Sequence, residues 1–466
     1  MKINKEVIAE MERKDILLEV YRHHDTPRVP WVPYAGIHAA KLIGVTAKEI
    51  LLDEEKCFAA LMEVNRIYLP DGQVVLFDLQ MEAEILGCEL QWADDAPPSV
   101  ISHPLEEEAN KKIPDISTLP KAGDGRIPLA VNMVRRLKAA VGDSTALFGL
   151  TTGPLTLASH LRGTNFFRDM FRDPEYAKAL LVYCTEVNKR MAEIYIEAGV
   201  DIVAAVDPVL SQISAKHFNT FLLDCYTDLF DFIRKKNIFS AFFVCGDATR
   251  NIEVMCHSKP DCIAVDENIN MAQAKEITDK YNIVLSGNIP LTSIMLFGTQ
   301  QDNMKYALDM LDSLDHHNLV IAPGCDMPYD IPIENTVGVV QAIHEPEQVR
   351  EMIKNYEAVD DDIQIDLPDY SKRDKPFLEV FTLDSASCAA CTYMYAAACD
   401  AKEHFGDAID IIEYKYLIKE NIARCKKVGV QHLPSLYIDG ELKWSSIIPE
   451  REVLFSELEK AIAKYK

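Results

Sequence analysis

Positive charge is in short supply in this chain. Its 466 residues hold 48 lysines and arginines against 73 aspartates and glutamates, a formal net charge of −25 at pH 7. Phosphate backbones and anionic bilayers are bound by basic faces, so nucleic acid and membrane are excluded as expected partners. Long apolar runs are missing too: none reaches the roughly 18 residues a membrane helix needs. Residues 1–15 alternate charges and lack an apolar leader core, so the expected location is cytoplasmic. Short repeats and low-complexity tracts are absent, and disorder, collagen and coiled coil are set aside as the dominant class. The 12 cysteines are spread too thinly for a disulfide scaffold. In a reducing compartment, cysteines at special places read as metal ligands or redox groups, and most of the others as small buried apolar residues.

What is present is a rhythm. Eight short apolar, β-branched runs (29–34, 74–79, 145–150, 201–206, 240–245, 262–267, 283–287 and 319–323) alternate with longer helical patterns such as 174–198 and 214–235. Strands buried on both faces read as continuous apolar runs rather than as alternation. Eight β–α units predict an α/β fold, a (β/α)8 TIM barrel over residues 1–352, with a doubly wound open sheet as the alternative. Residues 353–374, with Asp360, Asp361, Asp362, Asp366 and Asp369, read as an acidic linker. The pattern then restarts over 375–466 as strand, helix, strand, helix, hairpin and helix, a second and smaller α/β domain.

In a parallel barrel the chemistry sits at the C-terminal ends of the strands. Those ends carry Asp78, Asp207, Cys245, Glu267, Asn288 and Cys325, with Asp247 and Asp326 close by. Asp78 and Asp207 read equally well as helix N-caps or as active-site hydrogen-bonding groups. Cys245 and Cys325 are either buried small residues or, with Glu267, a thiolate–carboxylate set able to hold zinc with an open fourth position. Their separation of 80 residues offers no local spacing signal.

Residues 1–350 resemble the uroporphyrinogen decarboxylase superfamily, and within it the cobalamin-dependent methyltransferase branch. The stretches that carry the resemblance are RVPWVPYAG (28–36), FDLQMEAEILGC (77–88), GPLTLASHLRG (153–163), VCG (244–246), SGNIP (286–290) and PGCDMPYDIPIEN (323–335). The decarboxylases bear an arginine-containing segment for substrate carboxylates; the matching stretch here, VPYAGIHA (32–39), has none, which disfavours that activity. In the methyltransferase branch zinc is held by a His-x-Cys pair after one strand and a cysteine after the last. By this resemblance Cys245, Cys325 and, less closely, Glu267 are the zinc ligands, and the histidine position falls on Phe243. His257, His316 and His317 are nearby alternatives along the sequence. The resemblance further implies a corrinoid delivered by a carrier protein, and a small methyl donor or thiol acceptor.

In the second domain, CAAC (388–391) follows a predicted strand and opens a helix, where the dipole favours thiolate at the first cysteine. Together with VQHLPSLYIDG (430–440), it resembles the thioredoxin fold, with Cys388 and Cys391 as the dithiol and Pro434 as the proline of the neighbouring loop. The expected function is corrinoid-dependent methyl transfer with an appended CxxC redox domain. A thiol–disulfide oxidoreductase that uses the barrel for docking, and a decarboxylase-type lyase, are the alternatives.

Overall fold

A computed structural model of the chain describes residues 11–357, 363–385, 389–430 and 432–465. They divide into two compact units, Met1–Leu210 with Ser214–Glu357, and Ser211–Ile213 with Ala358–Lys466.

The first unit is built on seven parallel strands in sequential order: β1 (Gly72–Val74), β2 (Ala146–Thr152), β3 (Ile202–Val206), β4 (Phe239–Val244), β5 (Cys262–Val265), β6 (Val284–Ile289) and β7 (Leu319–Pro323). The eighth position is filled by residues 30–32. Val32 N–H donates to Ile321 O at 3.0 Å, Ile321 N–H to Pro30 O at 2.9 Å, and Asp71 N–H to Trp31 O at 2.9 Å. This segment therefore closes the sheet between β7 and β1. It was expected as a strand, but Pro30 and Pro33 lack N–H donors, and only a bridge between Trp31 and Ile321 forms.

Every residue of β2, β3, β5, β6 and β7 is buried. Alternate side chains share the interior: Ala146, Phe148 and Leu150 on β2; Ile202, Ala204 and Val206 on β3; Ala241 and Phe243 on β4; Cys262 and Ala264 on β5; Val320 and Ala322 on β7. The others face the outer helices, which explains why the runs read as unbroken apolar sequence. Pro174–Ala198 forms one helix. The predicted helix over 214–235 is instead two, Ala215–Phe221 and Leu223–Lys235, which meet at Leu222. The helix Arg13–Tyr21 adds Leu17, Leu18, Val20 and Tyr21 to the barrel interior. Its Lys14 N–H bonds Ser144 O at 2.9 Å, and Tyr21 packs on Phe239 with ring centroids 5.4 Å apart. Ser144 and Phe239 mark the N-terminal ends of β2 and β4, so this helix plugs that end and leaves the opposite one for the site.

The second unit has a four-stranded sheet. Central β8 (Phe377–Thr382) runs parallel to β9 (Asp410–Lys415) and antiparallel to β10 (Ser435–Ile438), which pairs antiparallel with β11 (Glu441–Ser445). Leu378, Val380, Leu436 and Ile438 pack against Met394, Ala398 and Ala401 of Ala389–Phe405 and against Leu454, Leu458 and Ala461 of Arg451–Ala463. Phe381, Tyr414 and Tyr437 meet Cys425 of Lys419–Val428 in a second cluster. Part of the acidic stretch belongs to this unit: Tyr370 donates to Glu379 Oε2 at 2.7 Å, and Lys427 Nζ bonds Ile365 O at 2.6 Å. Cys388 lies outside the described residues. Among the described residues no helix is long and apolar enough to cross a membrane.

Candidate functional site

Cys245 follows β4 directly and Cys325 stands two residues beyond β7. The fold brings them together: their Cα atoms are 6.1 Å apart and the sulfurs are joined as a disulfide. Both side chains are half-buried and rest on the barrel interior. Two strands, β5 and β6, separate β4 from β7 in the sheet, so the bond bridges over their ends. Gly324 makes this approach possible, because a Cβ there would stand 2.7 Å from Glu267 N. Beneath lies an aromatic cluster. The Phe243 ring is centred 4.7 Å from Tyr34 and 5.7 Å from Phe77, and Tyr34 Oη is 2.9 Å from Ser286 Oγ.

Carboxylates surround this mouth. Asp78, 3 % exposed, accepts from Gln80 N–H at 2.9 Å through Oδ1 and pairs through Oδ2 with Arg126 Nη1. Arg126 also bonds Glu84 at 2.7 Å and lies 5.1 Å over the Trp92 ring. Asp326 Oδ1 accepts from Gly36 N–H at 2.9 Å, and burial pushes this carboxyl well above the usual carboxylate range. Glu82, 1 % exposed, accepts from Thr152 N–H at 3.0 Å and Oγ1–H at 2.9 Å; burial pushes it up to about 7. Asp266 and Glu267 are both raised, chiefly by burial, with the charge of Asp247 adding to the first and that of Asp266 to the second. Glu267 Oε2 accepts from Leu291 N–H.

Asp207 is enclosed at the start of the helix Pro154–Arg162. It accepts from Leu155 N–H and Thr156 N–H at 3.0 Å each, from Thr156 Oγ1–H at 2.6 Å and from Tyr226 Oη–H. It anchors that helix end, and burial lifts it to about 6. Asn288 donates both amide protons, to Asp266 O at 2.8 Å and Ile269 O at 2.7 Å, and so fixes the loop that carries Glu267.

Among the described residues no three His, Cys, Asp or Glu side chains gather as a metal-holding group. The two sulfurs bond each other, Glu267 is engaged by Leu291 N–H, and a phenyl ring stands at position 243. His257 is exposed, with Nε2 3.1 Å from Tyr281 Oη, and His316 is exposed with Nε2 2.8 Å from Leu311 O. This donor set does not fit the expected resident zinc ion.

Sequence reading missed Arg126, Glu82 and Tyr34. Arg126 is 48 residues from Asp78, and no local pattern joins them. Tyr34 lay in a strand-like run and in stretches noted for the family resemblance and for a missing arginine, with no site role attached to it.

A parallel barrel with one end plugged by hydrocarbon and the other lined by sulfur and carboxylate defines an enzyme-like class whose site sits at the strand C-termini. Residues 12–346 match the profile of the uroporphyrinogen decarboxylase (URO-D) family, and the chain belongs to that family. Over 342 residues it is 26 % identical to the methylcobamide:CoM methyltransferase MtbA of Methanosarcina acetivorans, covering 72 % of this chain and 98 % of that one. It is 24 % identical over 339 residues to a uroporphyrinogen decarboxylase of a Sulfurovum species, covering 69 % and 95 %. A solved structure of a methyltransferase from Methanosarcina mazei superposes with a TM-score of 0.66 at 23 % identity, over 72 % of this chain and all of that one, and shares its fold.

Proposed function

We propose that the barrel mouth carries out corrinoid-dependent methyl transfer between the cobalt of a corrinoid on a carrier protein and a small thiol or other methyl acceptor or donor. The observation that carries this reading is the meeting of Cys245 and Cys325 at the strand C-termini. It is supported by similarity over almost the full length of methyltransferases named for methylcobamide and CoM. The decarboxylase reading is weaker, since residues 32–39 bring no arginine to the mouth.

Where a thiol is the acceptor, its thiolate is the nucleophile; the sulfur–carbon bond would form as the cobalt–carbon bond breaks, with the electron pair left on cobalt, and transfer from a methylated thiol would be the same displacement reversed. A thiol near pKa 8.5 is mostly protonated at neutral pH, so the site must take its proton. Glu267 is the base we assign: its backbone lies against Gly324 beside Cys325, and its carboxylate form, the minority form at neutral pH because burial beside Asp266 raises its proton affinity, is a correspondingly strong base. Arg126 Nη2 and Asp326 Oδ2 are buried without a hydrogen-bond partner, and they offer a donor and an acceptor to polar groups of the small substrate. Asp78 holds Arg126 in place. Phe243, Phe77 and Tyr34 form the apolar floor that keeps water from the reacting sulfur. Asp207 and Asn288 act as positioning residues.

The second unit we read as thioredoxin-like, with Cys388, Cys391 and Pro434 as its redox site. The strand and helix order supports this, as does Cys391, buried at the start of Ala389–Phe405 with its sulfur accepting from Leu383 N–H at 3.2 Å.

The test is anaerobic spectrophotometry of methylcobalamin with a panel of thiols, and of cob(I)alamin with a panel of methylated thiols and amines, with the protein fully reduced. We expect at least one partner to be demethylated or methylated about tenfold or more faster than without protein. No acceleration in either direction with any partner rejects the reading.

A further inference from the structure

The pairing of Cys245 with Cys325 goes beyond methyl transfer. Zinc-holding thiolates need further donors, and among the described residues no third His, Cys, Asp or Glu gathers with these two sulfurs: position 243 is phenyl, and Glu267 Oε2 accepts from Leu291 N–H. What the sulfurs have is each other, on Cα atoms 6.1 Å apart, within the span of a disulfide. Cys57, Cys88, Cys184, Cys225, Cys256 and Cys262, elsewhere in the same unit, are buried, whereas Cys245 and Cys325 are half-buried at a rim. Access selects this pair for exchange. The bond also reaches over the ends of β5 and β6, so closing it lays a covalent bar across the mouth.

We infer that Cys245 and Cys325 are a reversible redox pair, opened and closed by exchange with a vicinal dithiol and its cyclic disulfide. In the opening step a thiolate of the dithiol attacks one sulfur of the pair and forms a mixed disulfide. The second thiol of the reductant then displaces the remaining cysteine. Two electrons pass to the pair, one proton ends on each cysteine sulfur, and the reductant leaves as its disulfide. Oxidation is the same sequence reversed. While the bar is closed both sulfurs are withdrawn from chemistry; open, both are thiols at the site.

The source of the dithiol is either a small molecule or the chain's own Cys388 and Cys391, and the experiment separates them. Full-length protein is equilibrated anaerobically with dithiothreitol and its oxidised form at set ratios, quenched with acid, alkylated and digested, and the Cys245–Cys325 cross-linked peptide is measured by mass spectrometry. For a two-electron exchange, about an eightyfold change in that ratio carries the pair from one-tenth to nine-tenths open. We expect that dependence, its full reversal on re-oxidation, and loss of the cross-link in Cys325→Ala but not in Cys262→Ala. A Cys388→Ser/Cys391→Ser protein that titrates like the wild type identifies the small-molecule source. One that stays cross-linked at catalytic dithiothreitol, where the wild type opens, identifies the internal dithiol.

The inference is overturned if both cysteines alkylate fully at every ratio. It is also overturned if the cross-link never opens short of unfolding, or if the reduced protein takes up one zinc per chain through these two sulfurs and no longer re-oxidises. Mapping on the wild type needs no variant to fold. Methyl transfer read in the same samples keeps the two proposals apart: a titrating cross-link without transfer supports the redox pair and rejects the transferase reading, whereas transfer with the sulfurs never paired does the reverse.

Discussion

Two buried ion pairs of the barrel, Arg28–Asp71 at the plugged end and Arg126–Asp78 at the mouth, are completed to different degrees. At the plugged end Asp71 is fully buried, and every strong demand on it is met: Arg28 donates through Nη1 and Nη2 at 2.7 Å each, and Trp31 N–H donates at 2.7 Å. At the mouth Arg126 is shared between Asp78 and Glu84 yet leaves Nη2 buried and unbonded, and Asp326 does the same with Oδ2. A satisfied pair such as Arg28–Asp71 specifies a fold; unbonded buried atoms occur at both ends, Arg13 Nη1 and Trp31 Nε1 at the plugged one, and it is those at the open end of a parallel barrel that we assign to the proposed substrate.

If this contrast is right, removing the Asp71 carboxylate destabilises the fold far more than altering the incompletely bonded Asp326 carboxyl at the mouth. Asp71→Ala leaves Arg28 without its counter-charge and should cost about 3–5 kcal/mol in urea unfolding. A loss under 1 kcal/mol would dissolve the distinction. Next comes Glu82, a carboxyl raised by burial from an ordinary 4.5 to about 7. The folded state holds its proton more tightly than the unfolded one, so its contribution to stability falls as pH rises from about 4.5 to about 7 and is flat above. Glu82→Gln removes that slope. Its stability relative to wild type should therefore grow across this window, to on the order of 2–3 kcal/mol; a difference independent of pH would contradict the assignment.

Gly36→Ala sharpens the comparison further. A Cβ there would stand 2.5 Å from Phe77 Cβ and overlap the Asp326 carboxylate. We expect about 1–3 kcal/mol lost from displaced packing, along with methyl transfer, because the same atom pushes Asp326 out of the mouth. The smallest stability effect belongs to Asp326→Asn, within about 1 kcal/mol of wild type and of either sign, since the change replaces a carboxyl that burial holds toward its protonated form with a neutral amide and keeps an oxygen for Gly36 N–H.

The same contrast separates what could be read from the sequence from what could not. Strands such as β2 and β3 were legible because burial on both faces leaves continuous apolar runs. The strand-end rule then placed Cys245 and Cys325 at one mouth although 80 residues separate them. Residues 29–34 have strand-like composition, but prolines cost them the donors for a ladder, and only residues 30–32 bridge. The mouth's polar wiring was illegible: Arg126 reaches Asp78 from just before the helix Ile127–Val141, 48 residues on, and Glu82 meets Thr152 across 70 residues. The sequence reading left Asp207 open between cap and catalyst, and its four hydrogen bonds at the start of Pro154–Arg162 became visible only with neighbours in place. The zinc set carried by family resemblance was legible as residue types but not as geometry, because ligation depends on where Glu267 and position 243 point.

The most direct test of the mouth as the working end is the rate of cobalt demethylation by fully reduced protein, with Glu267→Gln and Asp71→Ala measured beside the wild type below their melting temperatures. Glu267→Gln should lose at least about a hundredfold, some 2.7 kcal/mol of transition-state stabilisation, while folded Asp71→Ala stays within about threefold of wild type. Equal rates in wild type and Glu267→Gln would contradict it.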